Sequence, residues 1–394
     1  MFVLLKGVIM NTTNIKSVDG TRGLACLMVL LSHQSLMFYP YLHSGKESDL
    51  IGWFDYMIYH LPFSFLFSGT GAVYIFFVLS GFILTYACMK NGDPLNAASK
   101  MLVARYIRLG IPVFFSIVLT YFALSFLGSD SVTLPWISSF TVEGKTFSQM
   151  IFNATFGSII LGDSSFNWVI WTMQIEFYGS VIVFLLAPFL ITIRGMYPAC
   201  LIAAFIISIY FPNKLGYGYA SFLIGIYLYK AKNIGTINAY VMFVIGLLLC
   251  GYSKLSPIYD PLRSVFNHAL EVVDINYYYF FNMIGGVLIV TSIVKSKILC
   301  NVFEHKIVVW LGKVSFSAYL LQMMVFSLFT TRIMHYLTES GMSYGASAFI
   351  SCASSTVLIY ALAHVFYKVI DKKGAELAKR ITLKMVATQE LKGA

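Results

Sequence analysis

The stretch SVDGTRGLACLMVLLSHQS, residues 17–35, sets Arg22 and His33 eleven residues apart, with apolar or small residues almost throughout between them. On an α-helix that separation spans about 16 Å. With Arg22 at one face of a bilayer, His33 falls near its middle. Ionisable groups at such depth usually face a bundle interior or a wet cavity and mark a functional path. Histidine is the side chain that accepts a proton near neutral pH. His33, next to Ser32 and Gln34, therefore reads as a general base, with a hydrogen-bonded packing histidine as the plainer alternative. For Arg22 the plainer alternative is an arginine snorkelling to the inner interface. Asp19, three residues earlier, shares its helix face and can pair with it.

Three further groups carry chemistry. In SKMLVARYIRLGIP, residues 99–112, Arg105 and Arg108 are three apart and so share a helix face. They serve either as positive anchors or as a phosphate clamp, since a guanidinium grips phosphate with two parallel bonds. In NWVIWTMQIEFYGS, residues 167–180, Glu176 stands between Ile175 and Phe177, an expensive place for a carboxylate without a partner. We expect it near the outer side, where it would orient or deprotonate an acceptor hydroxyl. Trp168, Trp171 and Tyr178 suit an outer aromatic belt. Two stretches supply packing: GTGAVYIFFVLSGFILTY, residues 69–86, brings Gly71, Ala72, Ser80 and Gly81 for close helix contact, and LGKVSFSAYLLQ, residues 311–322, runs through Tyr319 to Gln322.

The elements that position these residues follow from composition. The chain of 394 residues is 58% hydrophobic and 11% charged, with a mean hydropathy of +0.78. Soluble domains carry about 25% charged residues, so lipid is the natural solvent. Candidate spans of about 20 mostly apolar residues lie near 23–42, 70–89, 109–128, 170–192, 196–211, 215–230, 236–252, 277–294, 313–334 and 345–368, with the fifth and sixth short. Residues 52–69 are apolar but interrupted by Asp55, His60 and Pro62, an interfacial or re-entrant piece. With the N-terminus inside, 21 of the 27 basic residues fall on the inner side, as the positive-inside rule requires. The expected fold is an all-α integral membrane protein of about ten transmembrane helices with both termini cytoplasmic. An N-terminal segment (1–16), a transmembrane domain (17–370) and a basic tail (371–394) follow. Met1 and Met10 are both available as starts, and no signal peptide is read.

The net charge of +10 fits cytoplasmic loops and anionic lipid, and no nucleic-acid partner is expected. Six scattered cysteines at 26, 88, 200, 250, 300 and 352 lack metal or disulfide spacing, so they read as packing residues, with no metal site. The outer loops 129–168 and 253–276 are too short for a separate catalytic domain, which places any chemistry in the bundle or at its mouths. Transport without chemistry, as by a flippase for a lipid-linked sugar, has the same composition, and short broken helices suit it too.

The motif set resembles the type 3 acyltransferase family of integral membrane proteins. The resemblance rests on DGTRGLA followed by LLSH, FFVLSGFILT at 76–85, RYIRLGIP at 105–112, WTMQIEFY at 171–178 and SFSAYLLQ at 315–322. It covers roughly residues 17–370, in the family's order. It implies a ten-helix core that moves acyl groups, usually acetyl from acetyl-CoA, across the bacterial inner membrane onto extracytoplasmic glycans. His33 would then be the base or acyl relay, with Glu176 at the acceptor. Arg22, Arg105 and Arg108 would gather the CoA phosphates, and Trp171, Tyr178, Tyr319 and Gln322 would line the acceptor path. No cofactor would be tightly bound, acyl-CoA being a substrate. A glycan or lipid-linked sugar and membrane lipid would be the other partners, and a homo-oligomer is compatible with all of this. The family often has a histidine where this chain has Gln322, and a Glu-X-Pro-like segment where it has YKVIDKKG, residues 367–374. Either the bundle alone or a partner protein would complete the transfer.

Overall fold

The computed structural model describes residues 12–90, 92–128, 134–270 and 275–392, and the side chains of 12–15, 267–270 and 384–392 are not described. Most of the expected N-terminal segment, residues 1–11 with both candidate starts, lies outside the described residues.

Among the described residues there are helices and turns and no strand. That is the outcome lipid forces on a long apolar chain, because a helix satisfies its own backbone groups. Helix α1 runs Thr12–Phe38, α2 Trp53–His60, α3 Gly69–Met89, α4 Pro94–Leu127, α5 Trp171–Leu186 and α6 Met196–Tyr210. Then come α7 Lys214–Lys230, α8 Thr236–Cys250, α9 Tyr277–Val294, α10 Lys306–Val325, α11 Tyr344–Phe366 and α12 Lys372–Lys392. Starts follow local chemistry. Ser68 caps α3 through Gly71 N at 3.0 Å, and Asn213 caps α7 through Leu215 N at 2.9 Å. Asp93 caps α4, with Pro94 at its first turn, where a missing N–H costs nothing.

A helix lies at each of the ten apolar windows. Among the described residues, six helical segments are long and apolar enough to cross a membrane: Gly69–Met89, Pro94–Leu127, Trp168–Thr192, Tyr277–Val294, Lys306–Glu339 and Tyr344–Leu383. Helices α6 and α8 have 15 residues each, about 22 Å of rise against a hydrocarbon core of about 30 Å. The piece at 52–69 contains α2, whose Asp55 is buried and accepts from Ile51 N and Gly52 N at 2.9 Å each. Trp53, Phe54 and Tyr56 of the same helix point outward.

Helix α1 packs on α10 and α3, and α3 in turn packs on α7 and α9; α12 lies back along α4. The α1–α10 contact is backbone to backbone. A Cβ on Gly312 would sit 1.8 Å from the carbonyl oxygen of Asp19, and one on Gly23 would sit 2.6 Å from Gly312 N. Small residues at such crossings let membrane helices approach. This contact holds the Asp19–Arg22 turn against Lys313. Gly312→Val must push the two helices apart, which costs about 1–3 kcal/mol for overpacking of this kind. The expected result is a lower thermal unfolding midpoint in detergent; an unchanged midpoint would show that the crossing is loose.

Candidate functional site

A cavity of about 420 Å³ lies where α1, α3, α4, α5, α10 and the turn at 367–371 converge. Its polar lining is Asp19, Arg22, Ser80, Arg105, Arg108, Glu176, Lys313 and Asp371; Val73, Phe76, Phe77, Leu109, Met173 and Phe316 supply apolar walls. Four cations thus face three carboxylates in one space. A low-dielectric wall around an excess of one sign strengthens the field on an incoming anion.

The pairing inside the cavity is specific. Glu176 Oε1 accepts from Arg105 Nη2 at 2.5 Å and from Ser80 Oγ at 2.8 Å. Both side chains of the ion pair are mostly buried, at 12% and 16% exposure. Arg105 Nε is buried without a partner among the described residues. Arg108 pairs with Asp371, and here the arginine is 38% exposed while the aspartate is buried. Asp371 ends a π-helical turn, Tyr367–Asp371, between α11 and α12, an irregularity often found at functional sites. The i, i+3 spacing of Arg105 and Arg108 does bring both into one cavity, but each already has a carboxylate partner.

His33 lies elsewhere. It is half-buried and does not line the cavity. Its Nδ1 meets Gln322 Oε1 at 2.9 Å. Its ring stacks on Trp136, with centroids 5.6 Å apart and planes 17° apart. Trp136 in turn meets Trp168 edge-on. Between cavity and histidine stands Tyr319. It belongs to the cavity lining; its hydroxyl donates to Val169 O at 2.6 Å and lies 3.0 Å from Thr172 Oγ1. Its carbonyl accepts from Gln322 Nε2 at 3.0 Å. One turn of α10 therefore links the charged cavity to His33.

The remaining sequence candidates divide. Arg22, Arg105, Arg108 and Tyr319 line the cavity, and Gln322 contacts His33. Glu176 also lines the cavity, where it is grouped with the arginines rather than with His33. The reason is helical geometry: Thr172, Met173 and Glu176 share the face of α5 turned to the cavity, while Trp171 and Tyr178 lie off that face. Trp171 instead takes the Lys214 ammonium over its ring at 4.6 Å, and Tyr178 packs on Phe177.

Sequence reasoning did not single out Asp371, Trp136 or the carboxylate contact of Ser80. The aspartate had a signal, a lone acid in the basic run YKVIDKKG. Ser80 carries in the sequence only the signal of a small packing residue. Trp136 sits in a short helix, Pro135–Ser138, with no periodic pattern to mark it.

A family model described as an acyltransferase domain matches residues 15–364. No curated protein and no solved structure matches the chain.

Proposed function

The chain belongs to the type 3 acyltransferase family, and from that premise we propose that it transfers an acyl group, acetyl in this reading, from cytoplasmic acyl-CoA to a hydroxyl of an extracytoplasmic polysaccharide or lipid-linked glycan. The site of action is the bacterial inner membrane, with ten spans and both termini inside. The observation that carries the proposal is the cavity of four cations and apolar walls, joined through Tyr319 and Gln322 to His33. CoA brings several phosphate charges and a long, thin, mostly apolar arm ending in a thioester. The cations suit the phosphates, and the apolar walls suit the arm.

In the reaction, the acceptor hydroxyl attacks the thioester carbonyl while His33 takes its proton. The new C–O bond forms, the C–S bond breaks, and the proton passes from His33 to the departing thiolate. His33 serves equally as an acyl relay. Its ring nitrogen attacks the thioester carbonyl, the C–N bond forms as the C–S bond breaks, and the thiolate leaves with the ring's other proton. The acceptor hydroxyl then attacks the acyl group, the C–N bond breaks, and the hydroxyl proton returns to the ring. Glu176 is assigned to holding Arg105 in the donor cavity. Arg22, Arg105 and Arg108, with Lys313, receive the phosphates, and Arg108 does so by exchanging Asp371 for a phosphate oxygen.

Mass spectrometry of surface glycans from cells with and without the protein tests the proposal. The expected result is acyl-modified sugars that vanish without it. Glycans unchanged in modification but altered in amount at the surface would point to a transporter. Orientation has its own test. Single cysteines in the loops 129–168 and 253–276 are expected to react with membrane-impermeant reagents from outside the inner membrane, while those at 92–98 or after 372 stay protected, as the split of 21 inner among 27 basic residues requires. Reversed labelling would overturn the inner placement of the donor cavity.

A further inference from the structure

Gln322 and His33 can share a proton in one way. Gln322 is fully buried. Its two polar atoms meet different partners, Tyr319 O at 3.0 Å from Nε2 and His33 Nδ1 at 2.9 Å from Oε1. A backbone carbonyl only accepts, so the amide nitrogen must face it and the amide oxygen must face the histidine. Turning the amide over would set oxygen against oxygen inside the bundle. The amide oxygen has no proton to give, so His33 Nδ1 carries the hydrogen. In a neutral imidazole the lone pair then sits on Nε2, and the hydrogen bond that the ring makes among the described residues is the one at Nδ1.

The frame behind this contact is itself fixed. The Tyr319 hydroxyl is held by Val169 O and Thr172 Oγ1. Asn167 Nδ2 donates to Leu320 O at 2.8 Å, tying the approach to α5 onto α10. Trp136 lies flat against the imidazole and restricts its plane. The ring is therefore set in both tautomer and orientation by neighbours that do not titrate near neutral pH.

We propose that Gln322 is the positioning residue that holds His33 as the Nδ1–H tautomer and so presents Nε2 as the atom that takes the acceptor proton. This moves Gln322 from the acceptor path to the service of the base. It rests on the reading of His33 as general base. A carboxylate plays the corresponding part where an acid orients a histidine base; here a neutral amide does it, at a depth where a charge is expensive.

The test reads the tautomer directly. Nitrogen NMR of histidine-labelled protein in lipid distinguishes a protonated ring nitrogen from a bare one, and a His33→Gln sample assigns the signal. The wild type is expected to show His33 protonated at Nδ1. Gln322→Leu removes the acceptor, and the proton should then leave Nδ1 for Nε2 in much of the population, with transfer activity reduced roughly ten- to a hundredfold, less than loss of the base itself. Gln322→Glu keeps an acceptor oxygen and should keep the Nδ1 proton, with activity above that of Gln322→Leu. A wild-type spectrum with the proton on Nε2 overturns the proposal even if both variants fail to fold. So does Gln322→Leu with unchanged tautomer and rate. An Nδ1–H signal lost in Gln322→Leu, from protein that transfers no acyl group at all, would leave the positioning role standing and sink the acyltransfer reading instead.

Discussion

His33→Ala is expected to abolish acyl transfer while the protein still inserts and folds. Loss of a general base alone costs about 10²–10⁴-fold in rate. Loss of an acyl relay would cost more, because no covalent route remains. Folding should survive because His33 is only half-buried, alanine favours the helix, and α1 keeps its backbone contact with α10. The main structural cost is the buried oxygen of Gln322, left without its partner, at about 1–3 kcal/mol. Rate and thermal unfolding must be measured on the same purified sample. Near-normal transfer by a folded variant would remove His33 from the mechanism.

The second large effect concerns the ion pair of Arg105 and Glu176. Glu176→Ala leaves a mostly buried guanidinium with neither its carboxylate nor a partner for Nε. Breaking a buried pair from one side costs about 3–5 kcal/mol. Replacing both partners with apolar groups removes the stranded charge, so Arg105→Leu/Glu176→Leu should recover much of that stability. It should not recover acyl-CoA binding if Arg105 receives a CoA phosphate as proposed. The expected pattern is therefore a destabilised single variant, a stabler double variant, and weak acetyl-CoA binding by the double variant. A double variant that binds acetyl-CoA like the wild type would make Arg105 a scaffold and leave the phosphates to Arg22, Arg108 and Lys313. Arg108→Lys provides the contrast. Arg108 is more exposed, and lysine keeps its charge but loses the planar fork, so insertion should be normal and binding weaker.

Much of this arrangement is legible in the sequence because lipid leaves few choices. An apolar run of about 20 residues has to be helical, so a helix stands at each apolar window. The i, i+3 spacing of Arg105 and Arg108 puts both on one helix face, and they line one cavity with Arg22. The partner of Glu176 was harder to read, because Arg105 is 71 residues away along the chain and no local pattern joins them. Which face an aromatic residue takes depends on its neighbours, so Trp171 and Tyr178 could be recognised by type but not by direction. Asp371 and Arg108 are 263 residues apart, and no local pattern joins them. Trp136 reaches His33 from a four-residue helix, too short for periodicity to carry information.

The most direct test of acyl transfer across the bundle uses the purified protein in sealed lipid vesicles, oriented with the arginine cavity outward. Acetyl-CoA with a radiolabelled acetyl group is supplied outside, and an acceptor oligosaccharide is enclosed within. The expected result is label on the enclosed sugar, dependent on His33 and lost with His33→Ala. Label that stays on CoA with wild-type protein, while an added lipid-linked sugar crosses the vesicle wall, would contradict acyl transfer and identify a transporter.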